Sequence, residues 1–138
     1  MKDYKRTAVV IEDDPEVKEV LGGLLTRMGF EVHYALDGPF GLQLVNHHRP
    51  ELVCLDLTLP SLSGHEVCQS IRSDTANEST RILITTARSS PQDRALAETL
   101  GADGYLDKPF STSAFLRAVD RVMRSAKGTA ALQPGVQI

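Results

Sequence analysis

The feature that most constrains this sequence is a short apolar run that ends in a single aspartate. The run Leu52–Leu55 leads directly into Asp56, and Pro60 and Gly64 follow four and eight residues after that aspartate. A continuous apolar run of this length is typical of a strand buried on both faces, as in a parallel sheet. In open α/β sheets, ligands bind at the carboxyl ends of the strands. Asp56 is therefore either a reactive carboxylate at that edge or a residue that caps the following turn.

Composition limits what kind of protein this can be. The chain has 138 residues, 41% of them hydrophobic, and a net charge of −3, which indicates one domain with a real core and no bias toward nucleic acid or anionic membranes. No apolar run approaches the roughly 20 residues that a membrane span requires, and no signal-peptide core follows the charged N-terminus. Cys54 and Cys68 lack metal-type spacing and are predicted to be buried free thiols. A cytoplasmic location is the expectation.

Strand and helix patterns alternate five times along the chain. Besides the run before Asp56, strands are predicted at Thr7–Ile11, Glu31–Ala35, Arg81–Thr86 and Gly104–Leu106. A helical pattern follows each strand, with start signals at Asp14–Pro15, Pro39, Gly64, Ser90–Pro91 and Ser111. This alternation predicts an α/β fold, a doubly wound five-stranded parallel sheet with five helices on its two faces. The order of the strands cannot be read from the pattern.

The helical segments differ in the clarity of their apolar faces. The first shows a complete stripe between residues 17 and 28, whereas the fourth has a weak one made of Ala95, Leu96 and Leu100. His47 and His48 are adjacent near a helix end, where a helix points neighbours about 100° apart. They are interpreted as surface residues near the negative end of the helix dipole. Residues 74–80 are predicted to form a polar loop.

Polar residues follow four of the five predicted strands. Glu12 and Asp13 follow the first strand, Asp56 the third, Thr86 ends the fourth and Lys108 follows the fifth. Because the strands are parallel, these residues are expected at one edge of the sheet. Converging carboxylates suit a hard divalent ion such as Mg²⁺, and a lysine and a hydroxyl can hold phosphoryl oxygens. The set predicts phosphoryl transfer in which an aspartate acts as the nucleophile.

Over about residues 6–126 the sequence resembles the receiver domain of two-component response regulators. The residues that carry the resemblance are Glu12–Asp13, the spacing Asp56…Pro60…Gly64, Thr86–Ala87 and Tyr105…Lys108–Pro109–Phe110. The resemblance implies the flavodoxin-like strand order 2-1-3-4-5. It also implies a receiver domain over residues 1–127, and the segment 128–138, which shows no pattern, is predicted to be a disordered tail.

The resemblance implies specific roles at the sheet edge. Asp56 corresponds to the phosphoacceptor, and Lys108 to the lysine that pairs with the phosphoryl group. Glu12 and Asp13 correspond to the acidic pair that holds Mg²⁺, with Asp13 the more direct ligand. The backbone carbonyl of Thr58 would be a further metal ligand, beside the carboxylate of Asp56.

The resemblance also implies a switch beyond the metal site. Thr86 matches the switch hydroxyl and Tyr105 the switch aromatic. Thr85 could be mistaken for Thr86, but strand alternation points the two side chains to opposite faces. Thr58 and Arg88 occupy the variable positions that tune the lifetime of the phosphorylated state.

The function implied is a phosphorylation-dependent signalling switch rather than a classical enzyme, because the domain would catalyse only its own phosphorylation and dephosphorylation. The phosphoryl donor would be the phosphohistidine of a histidine kinase or of a histidine phosphotransfer protein. Output would pass through the face formed by the fourth helix, fifth strand and fifth helix, to a partner or a second copy in a homodimer. Direct contact with nucleic acid or a membrane is not expected.

Three other functions compete with this interpretation. A phosphatase of the haloacid dehalogenase type also uses a strand-end aspartate and Mg²⁺, but it needs a carboxylate two residues later, where Thr58 stands. A flavodoxin-type cofactor binder would need a phosphate loop after the first strand, and the chain has neither that loop nor a tryptophan to stack on a flavin. A DNA-binding regulator needs more than the roughly twelve residues after the last predicted helix, unless the chain is part of a longer protein.

Overall fold

The computed structural model describes residues 5–124, so the predicted tail 128–138 lies outside the described residues. Strands and helices alternate as the sequence predicts. The strands are β1 (Arg6–Ile11), β2 (Phe30–Ala35), β3 (Leu52–Leu55), β4 (Arg81–Thr86) and β5 (Gly104–Asp107). The helices are α1 (Pro15–Arg27), α2 (Gly38–His48), α3 (Gly64–Ser73), α4 (Pro91–Thr99) and α5 (Thr112–Arg124).

The five strands form one parallel sheet in the order β2-β1-β3-β4-β5, which confirms both the predicted fold class and the predicted order. Ile11 lies opposite Leu55, and Leu55 lies opposite Ile84, so β1, β3 and β4 end at nearly the same level. The chain reverses its direction of winding between β1 and β3. A crevice opens at such a reversal, outside the carboxyl ends of the strands.

Helices cover both faces of the sheet and enclose two apolar layers. One layer places α1 and α5 against the sheet, with Leu21, Leu25, Phe115 and Val119 fully buried. The other layer holds α2, α3 and α4, and includes Val45, Val67, Ile71 and Ala97. Fully burying a side chain such as leucine or phenylalanine stabilises the fold by about 1.5–3 kcal/mol. The sheet edge therefore rests on a rigid double-layered core.

Capping side chains fix where the helices begin. The Asp14 carboxylate accepts a hydrogen bond from the Glu16 amide at 2.9 Å, so Asp14 caps α1 as predicted. Ser63 and Glu66 form a reciprocal capping box at the start of α3. Such caps contribute about 0.5–2 kcal/mol each and hold the strand-to-helix loops in place.

The segment 74–80 is more ordered than the polar loop that was predicted. It contains a 3-10 helix, Thr75–Asn77, whose start is capped by Asp74, and Asn77 is 1% exposed. The guanidinium of Arg72 donates hydrogen bonds to the carbonyl oxygens of Asn77 and Thr80. These contacts depend on side chains outside the segment, so the polar composition of the segment gave no signal of them.

The prediction of which α4 residues face inward is wrong in part. Ala97 is the buried residue, whereas Leu96 is 45% exposed. Leu100 packs against the core as predicted. A larger apolar residue normally faces inward, but here the small side chain of Ala97 is the buried one, so side-chain size favoured the wrong neighbour. Val20 in α1 and Phe40 in α2 are likewise exposed despite their apolar side chains.

Three histidines meet where the end of α2 crosses β2. His47 is exposed as predicted, but His48 is half-buried and its ring stacks on that of His33 with centroids 3.7 Å apart. His33 also lies 2.8 Å from the carboxylate of Glu31. Burial lowers the pKa of His48, as do the charges of His33 and His47, while Glu31 opposes that shift. The surface interpretation therefore holds fully for His47 and in part for His48, and both histidines lie in the last turn of α2 as interpreted.

The remaining general predictions concern the cysteines and membranes. Cys54 and Cys68 are both buried thiols, as predicted, and complete burial raises the pKa of the Cys54 thiol to about 12. A thiol with so high a pKa does not form the reactive thiolate at neutral pH. Within residues 5–124, none of the helices combines the length and the apolar character needed to cross a bilayer.

Candidate functional site

Three charged side chains from the ends of three strands converge at one point of the sheet edge. The Lys108 Nζ lies 2.8 Å from Glu12 Oε1 and 3.2 Å from Asp56 Oδ2. Glu12 and Asp56 are 1% and 6% exposed, and Lys108 is half-buried. The structure thus brings together residues that lie as far as 96 positions apart in the sequence.

Backbone hydrogen bonds hold these residues in register beyond the last strand residue. The Glu12 amide donates to the Ala35 carbonyl at 3.0 Å, and the Asp56 amide donates to the Ile11 carbonyl at 3.1 Å. Both bonds extend the parallel ladder by one step, so the two carboxylates are fixed by the sheet rather than by a mobile loop. Rigid placement is what a site for charge neutralisation needs, because the groups need no reorganisation when the ligand arrives.

Burial and like charge set the electrostatics of the site. Burial raises the pKa of Glu12, the hydrogen bond with Lys108 opposes that shift, and the charge of Asp56 adds to it. Burial alone would lower the pKa of Lys108, but its contacts with Glu12 and Asp56 outweigh burial and raise it. The lysine is therefore firmly protonated. One ammonium cannot neutralise several neighbouring carboxylates, so the site favours a further cation.

Asp13 completes a group of three carboxylates that can hold a metal ion. One oxygen from each of Glu12, Asp13 and Asp56 lies within 4.8 Å of the other two. Asp13 is exposed, whereas Glu12 uses Oε1 for Lys108 and Oε2 to accept from the Asp14 amide at 3.2 Å. Carboxylates at this spacing are suited to Mg²⁺, which binds through one or two carboxylates and keeps several waters.

The loop after Asp56 packs closely against the aspartate and against the start of α3. The Thr58 amide donates to Asp56 Oδ1 at 3.1 Å, and Thr58 itself is exposed at the mouth of the site. A Cβ atom on Gly64 would lie 2.3 Å from the backbone oxygen of Asp56 and 2.5 Å from the Cα of Leu57. Only glycine fits there, which explains the spacing between Asp56 and Gly64. The close approach packs the start of α3 directly against the loop that carries Asp56.

The predicted switch residues, Thr86 and Tyr105, are connected to each other through the backbone of Arg88. Thr86 and Thr85 are both buried, and the Thr86 Oγ1 accepts a hydrogen bond from the Arg88 amide at 3.2 Å. The Tyr105 hydroxyl donates to the carbonyl oxygen of Arg88. Arg88 is thus held by the threonine through its amide and by the tyrosine through its carbonyl. The backbone of Lys108 also bonds to the Thr86 carbonyl, at 2.8 Å.

Two residues in α4 that the sequence interpretation missed contact this set. Asp93 pairs with the Arg88 guanidinium, with Oδ1 2.8 Å from Nη2. Arg94 stacks on Tyr105, its guanidinium carbon 4.4 Å from the ring centroid, and pairs with Asp107 at 3.1 Å. Asp93 stands three residues after the helix cap Ser90, a spacing visible in the sequence, but nothing there identified Arg88 as its partner.

An apolar groove of about 520 Å³ adjoins the site. Val17 and Val20 of α1 line one wall, and Pro109 and Phe110 line the other. Lys108 forms part of the lining, so the groove is continuous with the carboxylate site. Val20 is 54% exposed, which leaves an apolar side chain in water at this point.

Comparison with known proteins identifies the family. Residues 8–120 match the response regulator receiver domain. Among curated proteins, the chain is 35% identical over 134 residues to the DNA-binding dual master transcriptional regulator RpaA of Synechocystis, covering 92% of the chain and 56% of that relative. The chain thus spans about half the length of the curated relatives it matches.

Solved structures agree with the family match. A response regulator from Chloroflexus aurantiacus superposes with a TM-score of 0.82 at 27% identity, covering 88% of this chain and 100% of that one. The receiver domain of a sensor histidine kinase from Pseudomonas aeruginosa, with magnesium coordinated in its active site cleft, gives a TM-score of 0.79 at 25% identity, with coverage of 88% and 100%. These matches lend no support to the haloacid dehalogenase alternative. The chain therefore belongs to the response regulator receiver domains, which act in phosphorylation-based signalling.

Proposed function

We propose that this domain accepts a phosphoryl group on Asp56 from the phosphohistidine of a histidine kinase or a histidine phosphotransfer protein. The observation that carries the proposal is the contact of Lys108 Nζ with both Asp56 and Glu12, at 3.2 and 2.8 Å. It places one fixed positive charge beside a buried strand-end carboxylate. A lysine in this position can pair with an oxygen of the incoming phosphoryl group without moving far.

Asp56 acts as the nucleophile in the proposed reaction. One of its carboxylate oxygens forms a bond to phosphorus while the phosphorus–nitrogen bond to the donor histidine breaks, and the imidazole keeps the electron pair. No proton has to leave Asp56, because an ionised carboxylate is already nucleophilic. Lys108 and the Thr58 amide hold the carboxylate in place. The product is an acyl phosphate on Asp56.

Glu12, Asp13 and Asp56 would hold Mg²⁺, with the backbone carbonyl of Thr58 as a further ligand. When bound, the ion neutralises charge that develops on the phosphoryl oxygens. Asp13 would be the more direct ligand, since both oxygens of Glu12 already have partners in Lys108 and the Asp14 amide. The mutual spacing of the three carboxylates within 4.8 Å supports this assignment.

The partner that carries the phosphohistidine would dock on the groove beside Lys108. The groove is apolar, lies next to Asp56 and exposes Val20. An amphipathic helix laid into such a groove could bring its histidine to the site while burying its apolar face. A cytoplasmic location accords with a kinase partner of this type.

Phosphorylation would be read out through Thr86 and Tyr105. The Thr86 hydroxyl would leave the Arg88 amide and donate to a phosphoryl oxygen, and Tyr105 would then repack against the vacated space. The face formed by α4, β5 and α5 would change its packing, and a partner or a second copy of the chain would bind there. A bias of about 1–3 kcal/mol between two packings is enough for such a response.

RpaA is described as DNA-binding, and this chain spans 56% of its length. A longer protein that contains this domain could therefore bind DNA through another part. The receiver domain itself is not expected to contact nucleic acid, because its net charge is −3.

The test is phosphorylation by acetyl phosphate in the presence of Mg²⁺, followed by the mass of the intact protein. Wild type should gain the mass of one phosphoryl group, and Asp56→Asn should not. Asp14→Asn is the matched control, since it removes a neighbouring acid while asparagine still caps α1. Absence of a gain in wild type, or a gain that survives in Asp56→Asn, would refute the proposal.

The switch is tested separately by NMR with beryllium fluoride, which mimics the acyl phosphate. In wild type, chemical shifts should change at Asp56, at Tyr105 and along α4. In Thr86→Ala the changes should remain near Asp56 alone. Shifts that reach Tyr105 equally in both proteins would rule out the route through Thr86.

A further inference from the structure

The side chain of Arg88 is occupied by a partner in α4. Its Nη2 lies 2.8 Å from Asp93 Oδ1, and its Nε lies 3.4 Å from Asp93 Oδ2. The guanidinium thus faces the carboxylate with two donors, the geometry in which arginine binds anions best. The same planar group would suit the oxygens of a phosphoryl group equally well.

Asp93 is itself held firmly in position. The Ser90 hydroxyl donates to Asp93 Oδ2 at 2.8 Å, and the Asp93 amide donates back to Ser90 at 3.0 Å. Nε2 of His65 in α3, whose side chain is largely buried, lies 4.0 Å from Asp93 Oδ1. The Asp93 side chain is 15% exposed, whereas that of Arg88 is 49% exposed. Asp93 is therefore the fixed member of the pair, and Arg88 is the member free to move.

The backbone of Arg88 connects this pair to the phosphorylation site. Its amide donates to the Thr86 hydroxyl at 3.2 Å, the group expected to turn toward a phosphoryl oxygen. If the hydroxyl turns away and Tyr105 repacks, the Arg88 backbone loses its bonds to Thr86 and Tyr105, whereas the guanidinium keeps its contact with Asp93. The contact with Asp93 then decides whether the guanidinium stays at α4 or reaches toward Asp56.

We propose that Asp93 is a positioning residue that sets the lifetime of the phosphorylated state by competing with the phosphoryl group for Arg88. This inference rests on the proposed phosphorylation of Asp56. While the Arg88 guanidinium contacts Asp93, a water molecule can reach the phosphorus atom. While the guanidinium contacts the phosphoryl oxygens, it blocks the path of that water molecule and hydrolysis slows.

Hydrolysis of the acyl phosphate is a displacement at phosphorus, with water as the nucleophile and the Asp56 carboxylate as the leaving group. The water oxygen forms a bond to phosphorus, the bond from phosphorus to the Asp56 oxygen breaks, and the carboxylate regains its electron pair. The water protons pass to the released phosphate and to solvent. Asp93 takes no part in the bond changes and acts only through the position of Arg88.

Asp93 remains charged under the conditions where the competition operates. The hydrogen bond from Ser90 lowers the pKa of the Asp93 carboxyl, and the positive charge of Arg88 lowers it further. A carboxylate and a phosphoryl group therefore compete as two anions for one cation near neutral pH. Because Arg88 is well exposed, added salt should weaken its contact with either anion.

The experiment measures the rate at which the protein loses its phosphoryl group, by intact mass after removal of acetyl phosphate. Asp93→Asn should slow the loss about twofold to fivefold, the scale of a solvent-exposed ion pair. Arg88→Ala should speed the loss, and adding Asp93→Asn to Arg88→Ala should change nothing further. An unchanged rate in Asp93→Asn, or the same slowing in the Arg88→Ala background, would overturn the inference.

Two further variants separate positioning from a structural effect. Glu66→Gln is the matched control, because Glu66 holds in α3 the capping position that Asp93 holds in α4 and its capping contacts lie within α3. It should leave the rate unchanged. Arg88→Lys should restore part of the wild-type response to Asp93→Asn, since lysine keeps the charge, whereas a general loosening of α4 would not depend on that charge. An altered rate in Glu66→Gln, or no restoration by lysine, would count against the proposal.

The same measurement distinguishes this inference from the proposed function. If none of the proteins gains a phosphoryl group, the proposal for Asp56 fails. If all gain it except Asp56→Asn, and all lose it at the same rate, the proposal for Asp56 stands and only the role of Asp93 is refuted.

Discussion

The carboxylate cluster (Glu12, Asp13 and Asp56) and the β4–α4 loop (residues 87–90) lie at the same edge of the sheet but are held by different kinds of contact. Glu12 and Asp56 directly follow buried strands and are 1% and 6% exposed. The loop that carries Asp56 is covered by α3, which buries Val67, Cys68 and Ile71. The β4–α4 loop leads instead into α4, which buries Ala97 and exposes Leu96.

The carboxylate cluster and the β4–α4 loop differ in how easily their contacts can be replaced by contacts with other groups. Burial of apolar groups and close packing of the backbone hold the carboxylate cluster in place. These contacts cannot be exchanged for contacts with another group. The β4–α4 loop is held by the Thr86 hydroxyl, the Tyr105 hydroxyl and the Asp93 carboxylate, each of which can bond to another group. Regions with few buried apolar contacts open locally at low free-energy cost. The carboxylate cluster can thus keep its geometry while the loop and α4 change theirs.

The largest expected effect comes from shortening one apolar side chain in each of the two helices. Ile71 of α3 is 1% exposed, and Ile71→Ala should lower the free energy of unfolding by about 2–5 kcal/mol. Leu96 of α4 is 45% exposed, and Leu96→Ala should change it by no more than about 0.5 kcal/mol. Equilibrium unfolding in urea measures both. Similar losses in the two variants would contradict the contrast between α3 and α4.

A second test adds a methyl group where the carboxylate cluster meets α3. Gly64→Ala would place a Cβ against the backbone of Asp56 and Leu57, and should cost about 1–3 kcal/mol and slow phosphorylation by acetyl phosphate. In Gly23→Ala, a Cβ would meet nothing within 4 Å, and helix α1 should gain about 0.5–1 kcal/mol. Tolerance of alanine at Gly64 would show that the loop carrying Asp56 is less rigid than its contacts indicate.

A third test uses Mg²⁺ to relieve the repulsion among the carboxylates. The melting temperature of wild type should rise with added Mg²⁺, and at ten times the dissociation constant the gain is about 1.4 kcal/mol. Asp13→Asn should be more stable than wild type without the metal and should respond less to it. Asp14→Asn, whose altered side chain caps α1, should respond like wild type. A melting temperature that does not change with Mg²⁺ would contradict the proposal that these carboxylates bind the ion.

The smallest effect is expected from acid, at the histidines where α2 meets β2. The pKa of His48 lies below its ordinary 6.5 in the folded chain, so His48 contributes stability that is present above pH 6.5 and is lost as the pH falls through the lowered value. His48→Gln should flatten this part of the stability profile. Hydrogen-exchange protection factors in α4, which are corrected for the pH dependence of intrinsic exchange, should be unaffected over the same range, because α4 lies elsewhere on the sheet. Parallel changes in α4 would mean that it does not open independently.

The sequence predicted the fold and the carboxylate cluster well, because both depend on patterns that are local. Apolar runs and caps located the strands and helices, and the polar residue at each strand end located Glu12, Asp56 and Lys108. The resemblance to receiver domains supplied the strand order, which no local pattern contains. The roles of Thr58, Arg88 and the metal ligands stay predictions.

The sequence predicted the β4–α4 side less well, because there the outcome depends on which of several polar groups become partners. Arg88 was expected to tune the lifetime of the phosphorylated state, and the sequence did not predict that its guanidinium contacts Asp93. Ala97 rather than Leu96 faces the core. Arg72, which bonds to the carbonyls of Asn77, Thr80 and Gly101, showed no signal at all, because its acceptors are backbone carbonyls, which every residue carries.

The contact between Glu12 and Lys108 has a consequence for the synthesis of the protein. The ribosome makes Glu12 and Asp56 long before Lys108, which lies 96 residues after Glu12. Until β5 has emerged and joined the sheet, a nascent chain carries the acids without the lysine that would hold the phosphoryl group. Under the proposed function, a nascent chain without β5 would lack the positive charge that pairs with the phosphoryl group. The complete site would therefore form only after β5 has joined the sheet.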